Sequence, residues 1–552
     1  MPAIPTSHNS TDLTHEGEPA YLVSPDSDSA QQPLTLTTRA IRGAFWTSTP
    51  FVLQLGVRFV FFSDQGPEAM GRFGMALLLV MFLALISDLG LWSALIQRRD
   101  ATDLHFSTAF WTSLCFGIVI SLLTAQFGAQ AIDSVRLTIG NLLSFVGMTG
   151  SSGQPGDVVT NHSGPDEFVP ILATMSMLLP CAAVSGLFRA RLQRDLRFRQ
   201  IAMAEVGSVL VYAVFALAML EPLGIMSLVI GAVVREAALL VGLIMTARWL
   251  PGLTFSITAL RQILGFGLNF TGSRALNYAN SALPALIVFA ALGKGALGYY
   301  NLALDLTLMP LTRISTILTR VFFPTFSTVQ EDDAMLRRGY IKTTQSIALF
   351  YWPALAVVYV FAPDGIELMR EVEDHDFSPA LLPLRLLVVA TMLKAVGTGV
   401  GSMFLAKGRA NWTLYWSLFS MGVLLPLLLW SVEDGLVGIS AIMAATAFVF
   451  LLLSQWLTNR LIALRFTEYL GALVRPALVT AFLLLGATLV RPYLIGDALA
   501  ICLQAGVASA LLGGLALRLF AWNLCQNLWR HLRGRTDSVT VEVATGHDDP
   551  IR

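Results

Sequence analysis

Runs of roughly 20 mainly apolar residues, the length that crosses a bilayer as helix, recur along this chain between short polar segments. They lie near 41-62, 71-95, 106-128, 168-188, 201-220, 224-247, 262-291, 296-326, 344-362, 379-406, 412-431, 436-459, 473-491 and 497-520. The pattern predicts an all-α integral membrane protein of about 14 transmembrane helices. Residues 1-38 and 521-552 lack such runs and bury too little apolar surface to offset ordering entropy, so they read as cytoplasmic tails, the first of them disordered. The stretch of about 129-167 contains a Gly-, Ser- and Pro-rich segment and reads as a long external loop.

A short pattern occurs twice. Gly66 to Leu77 reads GPEAMGRFGMAL, and Gly293 to Leu304 reads GKGALGYYNLAL. The copies fall between spans one and two and between spans seven and eight. Six spans separate them, so both copies face the same way, as in transporters built from parallel repeats. The chain therefore divides into an N-lobe of six spans (39-250) and a C-lobe of six (260-465). Two further spans (466-520) follow the pseudo-symmetric lobes. The segment from Trp249 to Ala259 joins the lobes.

Charge sets the orientation. Loops on the side of the N-terminus hold 23 Lys and Arg, and those on the other side hold five. Cytoplasmic loops collect the cations, so both termini are placed inside. Overall, 55% of residues are hydrophobic and 13% charged, well below the charged share of soluble domains. The four cysteines are widely spaced and suggest neither a disulfide framework nor a metal site. No Walker-type phosphate loop, paired loop carboxylates or nucleophile–base spacing is present, which disfavours an enzyme and calls for no cofactor. Nothing in the chain points to nucleic acid.

Charges inside the spans carry the functional signal. Seven bases lie there, Arg58, Arg235, Arg274, Arg313, Arg320, Arg385 and Lys394, against four acids, Asp88, Glu205, Glu236 and Asp305. Each costs at least about 2.5–3.5 kcal/mol near the bilayer centre unless it is offset. Arg58, Arg385, Arg320 and Glu205 lie toward span ends, where snorkelling accounts for them. Arg235, Arg274, Arg313 and Lys394 lie deeper. Arg313 and Arg320 share a helix face, Asp305 points elsewhere on the same helix, and the adjacent Arg235 and Glu236 diverge by about 100° and should find partners on other helices. The excess of bases predicts a cationic cavity suited to a phosphate or diphosphate head group. Its candidate substrate-binding cations are Arg274, Arg313, Arg235, Lys394 and Arg58. Asp88, Glu236 and Asp305 are candidates for gating or ion coupling.

Four stretches carry a family resemblance: SALIQRRDATDLHFSTAFW at 93–111, RARLQRDLRFR at 189–199, MPLTRISTILTRVFFPTFSTVQ at 309–330 and FLAKGRAN at 404–411. As a set they resemble bacterial polysaccharide exporters of the Wzx type, in the colanic-acid-exporter-like branch of the multidrug/oligosaccharidyl-lipid/polysaccharide flippase superfamily. The resemblance implies a flippase of the bacterial inner membrane. Such a protein moves an undecaprenyl-diphosphate-linked oligosaccharide outward by alternating access between two lobes. Membrane lipids surround it, and glycosyltransferases and a polysaccharide polymerase are implied partners. One departure stands out: where the family carries Leu-Asp-Asn and then Gly-Arg in span seven, this chain has Leu283-Pro284-Ala285 and Phe289-Ala290. A cation-coupled drug exporter of the same architecture, and a membrane polymerase acting on the same lipid carrier, are the competing readings.

Overall fold

The computed structural model describes residues 32–98, 100–145, 168–308, 333–372, 375–407, 409–522 and 526, with side chains described from Leu53 onward. Those residues are helical with short connections and no strands. Met1–Arg42 with Asn527–Arg552 form a separate unit from Gly43–Gln526, and apart from the start of α1 the latter unit contains everything below. Its main elements are α1 (Gln32–Ser87), α2 (Leu91–Gln97), α3 (Asp103–Phe145), α4 (Val169–Arg194), α5 (Phe198–Ala218), α6 (Ile225–Ala247) and α7 (Ile257–Leu308). They continue as α8 (Asp333–Val372), α9 (Leu381–Gly397), α10 (Ala410–Trp430), α11 (Gly435–Leu461), α12 (Phe466–Val490) and α13 (Ala498–Phe520). Eleven continuous helical stretches among the described residues are long and apolar enough to cross a membrane.

Several of these stretches are too long for one crossing and break at glycine. Leu53–Ser87, Ile257–Leu308 and Trp412–Leu461 are interrupted at Gly66 (φ 72°), Gly293 (φ 87°) and Gly435 (φ 67°). These are backbone conformations that side chains with a Cβ rarely adopt. A fourth such glycine, Gly224 (φ 51°), joins α5 to α6. Gly224 and Gly435 occupy corresponding places in the two halves, just as Gly66 and Gly293 do. The turn device is thus repeated twice over, and only one of the two repeats shows in the residues.

The helix ends sort to two sides. On one side Glu68 meets Lys294, the Tyr299 hydroxyl donates to the Asp376 carbonyl and Phe168 packs edge-on against Phe289. Also on that side, Gln65 lies against Gly224 and Arg491 pairs with Asp364. On the other side Arg191 meets Asp103 and stacks over Phe106 and Trp249, while Trp111 donates to the Gly252 carbonyl. Tyr340 stacks on Tyr469 and bonds Gln455 there as well.

The duplicated segments pack against each other. A Cβ added to Gly71 would stand 1.8 Å from the Lys294 carbonyl oxygen, and one added to Gly298 would stand 1.9 Å from that of Pro67. Gly71 corresponds to Gly298 in the repeat, and Pro67 to Lys294. The two contacts are therefore images of one another, as a two-fold interface requires. Close approach of this kind needs a residue without a side chain.

Two sequence expectations are corrected. The external loop does not begin at 129, because α3 continues as helix to Phe145. Its 43 residues span about 64 Å at about 1.5 Å each, twice the hydrocarbon thickness of about 30 Å. The reason lies in the spacing of Ala129, Ile132, Arg136, Ile139 and Leu143, a heptad-like series of buried positions that gives the extension an inner face. The rest of the loop, including Asn161, lies outside the described residues. At the other end, α1 begins at Gln32, ahead of the tail boundary at Thr38.

Candidate functional site

Ion pairing inside the membrane body runs across the two halves. Arg58 sits about two turns before the Gly66 break in α1, and Asp305 about three turns after the Gly293 break in α7. The two breaks lie side by side, so the helices bearing these residues descend together. The Arg58 Nη1 donates to both oxygens of Asp305 at 2.6 Å, with the side chains 22% and 13% exposed. Asp305, expected to point away from its own helix's arginines, is thus neutralised by the opposite half. Buried Tyr212 of α5 lies within electrostatic reach of Arg58, Arg235 and Asp305. Tyr212 had no sequence signal beyond its place on an apolar helix.

Arg235 and Glu236 on α6 were expected to find partners on other helices. They instead approach each other at 3.9 Å, with Arg235 39% exposed and Glu236 14%. At that distance the pair is loose, and the Arg235 fork still faces open space. Glu236 is also within electrostatic reach of Cys181.

A second pair crosses between the halves toward the opposite side. Arg274 of α7 comes within 4.0 Å of Asp88, at the end of α1. Its guanidinium lies 5.7 Å from the Trp92 ring centre and 5.6 Å from that of Phe270. Asp88 is held in place because it accepts the Gly90 backbone N–H. Gly90 (φ 66°) lets the chain turn here, and Gly267 allows α7 to close on it: a Cβ on Gly90 would meet the Gly267 carbonyl oxygen at 2.3 Å. Trp92, like Tyr212, went unnoticed in the sequence, because the turn at Leu89 and Gly90 that sets it beside Asp88 is not read from helical spacing.

Lys394 of α9 has an exposed side chain and, among the described residues, no ion-pair or hydrogen-bond partner. Arg385 on the same helix lies over the Tyr359 ring at 5.2 Å. Glu205, near the end of α5, meets Arg189 at 3.1 Å. Arg313 and Arg320 lie outside the described residues. The structure thus brings Arg58, Arg235 and Asp305 together, gathers Arg274 and Asp88 separately, and leaves Lys394 apart from both groups. Among the described residues no group of three or more His, Cys, Asp or Glu could hold a metal ion.

What this arrangement can do is bind an anion reversibly. Each of these carboxylates pairs with an arginine, and an arginine can donate its N–H groups to phosphate oxygens as it does to a carboxylate.

Comparison with known proteins bears on the rest. The profile of the family described as "Polysaccharide biosynthesis protein" matches residues 66–147 and 156–370. The chain is 28% identical to the lipopolysaccharide biosynthesis protein WzxC of Escherichia coli (strain K12), over 71% of this chain and 75% of that protein. It is 26% identical to the teichuronic acid biosynthesis protein TuaB of Bacillus subtilis (strain 168), over 73% and 77%. Among solved structures it resembles the lipid II flippase MurJ in an inward closed conformation, with a TM-score of 0.70 at 14% identity, covering 89% of this chain and 100% of the other. It also resembles an inward-facing multidrug resistance MATE family transporter of the MOP superfamily, with a TM-score of 0.57 at 16% identity over 75% and 95%.

Proposed function

Since this chain belongs to the polysaccharide biosynthesis protein family and is a multi-pass bacterial membrane transporter with a MurJ-like fold, we propose that it flips a polyprenyl-diphosphate-linked oligosaccharide across the inner membrane. The observation that carries this reading is the pair of carboxylate–arginine contacts, Arg58–Asp305 and Arg274–Asp88, that bridge the two halves within the membrane. A diphosphate entering between the lobes competes with Asp305 and Asp88 for the arginines, and release of those contacts loosens the lobes. That exchange couples head-group binding to alternating access. Arg235 beside the Arg58–Asp305 pair adds to this cationic path, while Asp88, Glu236 and Asp305 serve the gate.

The membrane topology follows from the same breaks. Dividing the three overlong stretches at Gly66, Gly293 and Gly435 makes fourteen spans of the eleven, supported by the two-sided sorting of helix ends. The cation-rich side, with Arg189, Arg191 and Arg194, is cytoplasmic, and both termini share it. Six spans form each lobe and two follow.

The test is complementation in a strain lacking its own exporter. Arg274→Ala and Arg58→Ala are expected to abolish surface polysaccharide while the protein still inserts in the membrane at normal levels. Wild-type polymer yield from both variants would sink the proposal, and drug resistance with no effect on polymer would move the protein to the drug-exporter class.

A further inference from the structure

The middle of α7 carries a polar face that, among the described residues, stays exposed and is touched only by Ser417 of α10. On one side of the helix the series Ala259, Ile263, Gly267 and Thr271 is buried, with Gly267 against Gly90. Two positions further on from Gly267 and Thr271, about 200° around the helix, stand Asn269 and Ser273, both exposed; Asn277 and Ser281 continue that face and are exposed too. Gly265 and Gly272 lie beside them, and a Cβ added at either would meet nothing within 4 Å.

Hydrocarbon cannot occupy such a face. An amide turned to lipid leaves its donors and acceptors unmet, and polar backbone or side chains at membrane depth persist where they meet protein or water. The Asn269 side chain has no hydrogen-bond partner among the described residues. The Asn277 amide oxygen accepts from Ser417 of α10 and leaves its NH2 free, and the Ser273 hydroxyl bonds only the Asn269 carbonyl behind it.

The chemistry of the face selects its occupant. It holds uncharged groups that both donate and accept, spread from Asn269 to Ser281 over about 18 Å of helix. A cation site would gather oxygens around one point, and a phosphate site would present charge. A ladder of amides and hydroxyls matches a chain of sugar hydroxyls. Asn277 lies one turn on from Arg274 and about 60° around the helix, so the ladder runs beside the position of that cation. We infer that the Asn269–Ser273–Asn277–Ser281 face of α7 is the saccharide subsite of the transporter, reading the glycan while the arginines hold the diphosphate. This rests on the proposed flippase function and adds the residues that recognise the sugar.

The test uses the full-length protein in liposomes of phosphatidylethanolamine and phosphatidylglycerol, with two probes: undecaprenyl diphosphate and undecaprenyl diphosphate bearing one glucose. Asn269→Leu combined with Ser273→Val is expected to weaken binding of the glucosylated probe about tenfold, from two lost hydrogen bonds, and to leave the bare probe unchanged. Arg274→Ala weakens both. Asn269→Gln in place of Leu restores most of the glucosylated binding. If the double variant does not purify as a monodisperse protein, Ser273→Val alone carries the same comparison at about threefold. Equal loss with both probes, or no loss with either, overturns the subsite and makes the face a water path. Wild-type protein that binds neither probe overturns the flippase reading and the subsite with it, and is told apart because it shows before any substitution is made.

Discussion

The two ends of the boundary between the halves are closed by different means. At the end bearing Gly66 and Gly293, backbone meets backbone: Gly71 faces the Lys294 carbonyl and Gly298 faces that of Pro67, each contact the image of the other. At the opposite end the glycine contact of Gly90 with Gly267 is accompanied by a carboxylate, a guanidinium and two aromatic rings. Between them lies the tight Arg58–Asp305 pair. Backbone contacts have no ligand that can replace them, whereas the charges at the other end do. Under the proposed function, the first end is a mechanical seal and the second is where a charged head group enters and competes.

That contrast is broken most severely at the pair in the middle. Arg58→Leu leaves Asp305 as an uncompensated carboxylate in a site where it is 13% exposed, and removing one partner of such a pair costs about 3–5 kcal/mol. The double variant Arg58→Leu with Asp305→Leu is expected to regain most of that stability, since an apolar pair of similar volume is often neutral or better. It does not regain transport. Thermal unfolding in detergent read beside polymer export separates the two effects, and a double variant that transports would remove the pair from the mechanism.

Next comes the seal. Gly71→Ala places a methyl 1.8 Å from a carbonyl oxygen of the other half, and Gly298→Ala does the same at 1.9 Å. Overpacking of this kind costs about 1–3 kcal/mol, enough to shift a two-state equilibrium by roughly five- to 150-fold away from the closed seal. Because the contacts are images, both substitutions are expected to act alike. Spin labels placed across the seam would report the opening as a longer distance. Unequal effects of the two variants would mean that the repeat is not mechanically symmetric.

The pattern of spans and the duplicated turn were open to reading in the residues, since hydrophobic length and a glycine with a fixed role are local properties. The two-sided sorting of charge was too. Pairing was not: Arg58 looked like a snorkelling residue near a span end, and Asp305 looked isolated, because their partnership depends on how two helices far apart in the chain come to lie side by side. The helical extension of α3 could have been found from the 3–4 spacing of Ala129, Ile132, Arg136, Ile139 and Leu143, but the glycine-rich segment beyond it masked that signal. The second repeated turn, Gly224 with Gly435, escaped because the residues around it have diverged while the backbone conformation has not.

Smaller effects sharpen the other end. Trp92→Leu keeps Arg274 and Asp88 but removes one of the two rings against the guanidinium. A cation–π contact contributes about 0.5–1 kcal/mol at partly exposed sites. The expected result is a head-group affinity several-fold lower with unchanged stability of the seal. Binding of undecaprenyl diphosphate to purified protein measures it. An unchanged affinity would leave Arg274 held by Asp88 alone.

The smallest effect belongs to the charged pair at the sealed end. Glu68 meets Lys294 at 3.2 Å, but Glu68 is 65% exposed, so water and salt screen the contact. Glu68→Gln is expected to change stability by under about 1 kcal/mol, and salt at about 1 M, where the Debye length is about 3 Å, should remove most of the difference between wild type and variant. The seal should hold throughout, because the Lys294 carbonyl that meets Gly71 is backbone and keeps its place whichever charge stands at position 68. A Glu68→Gln variant whose seam opens as far as that of Gly71→Ala would show that charge, and not the glycine contact, closes this end of the protein.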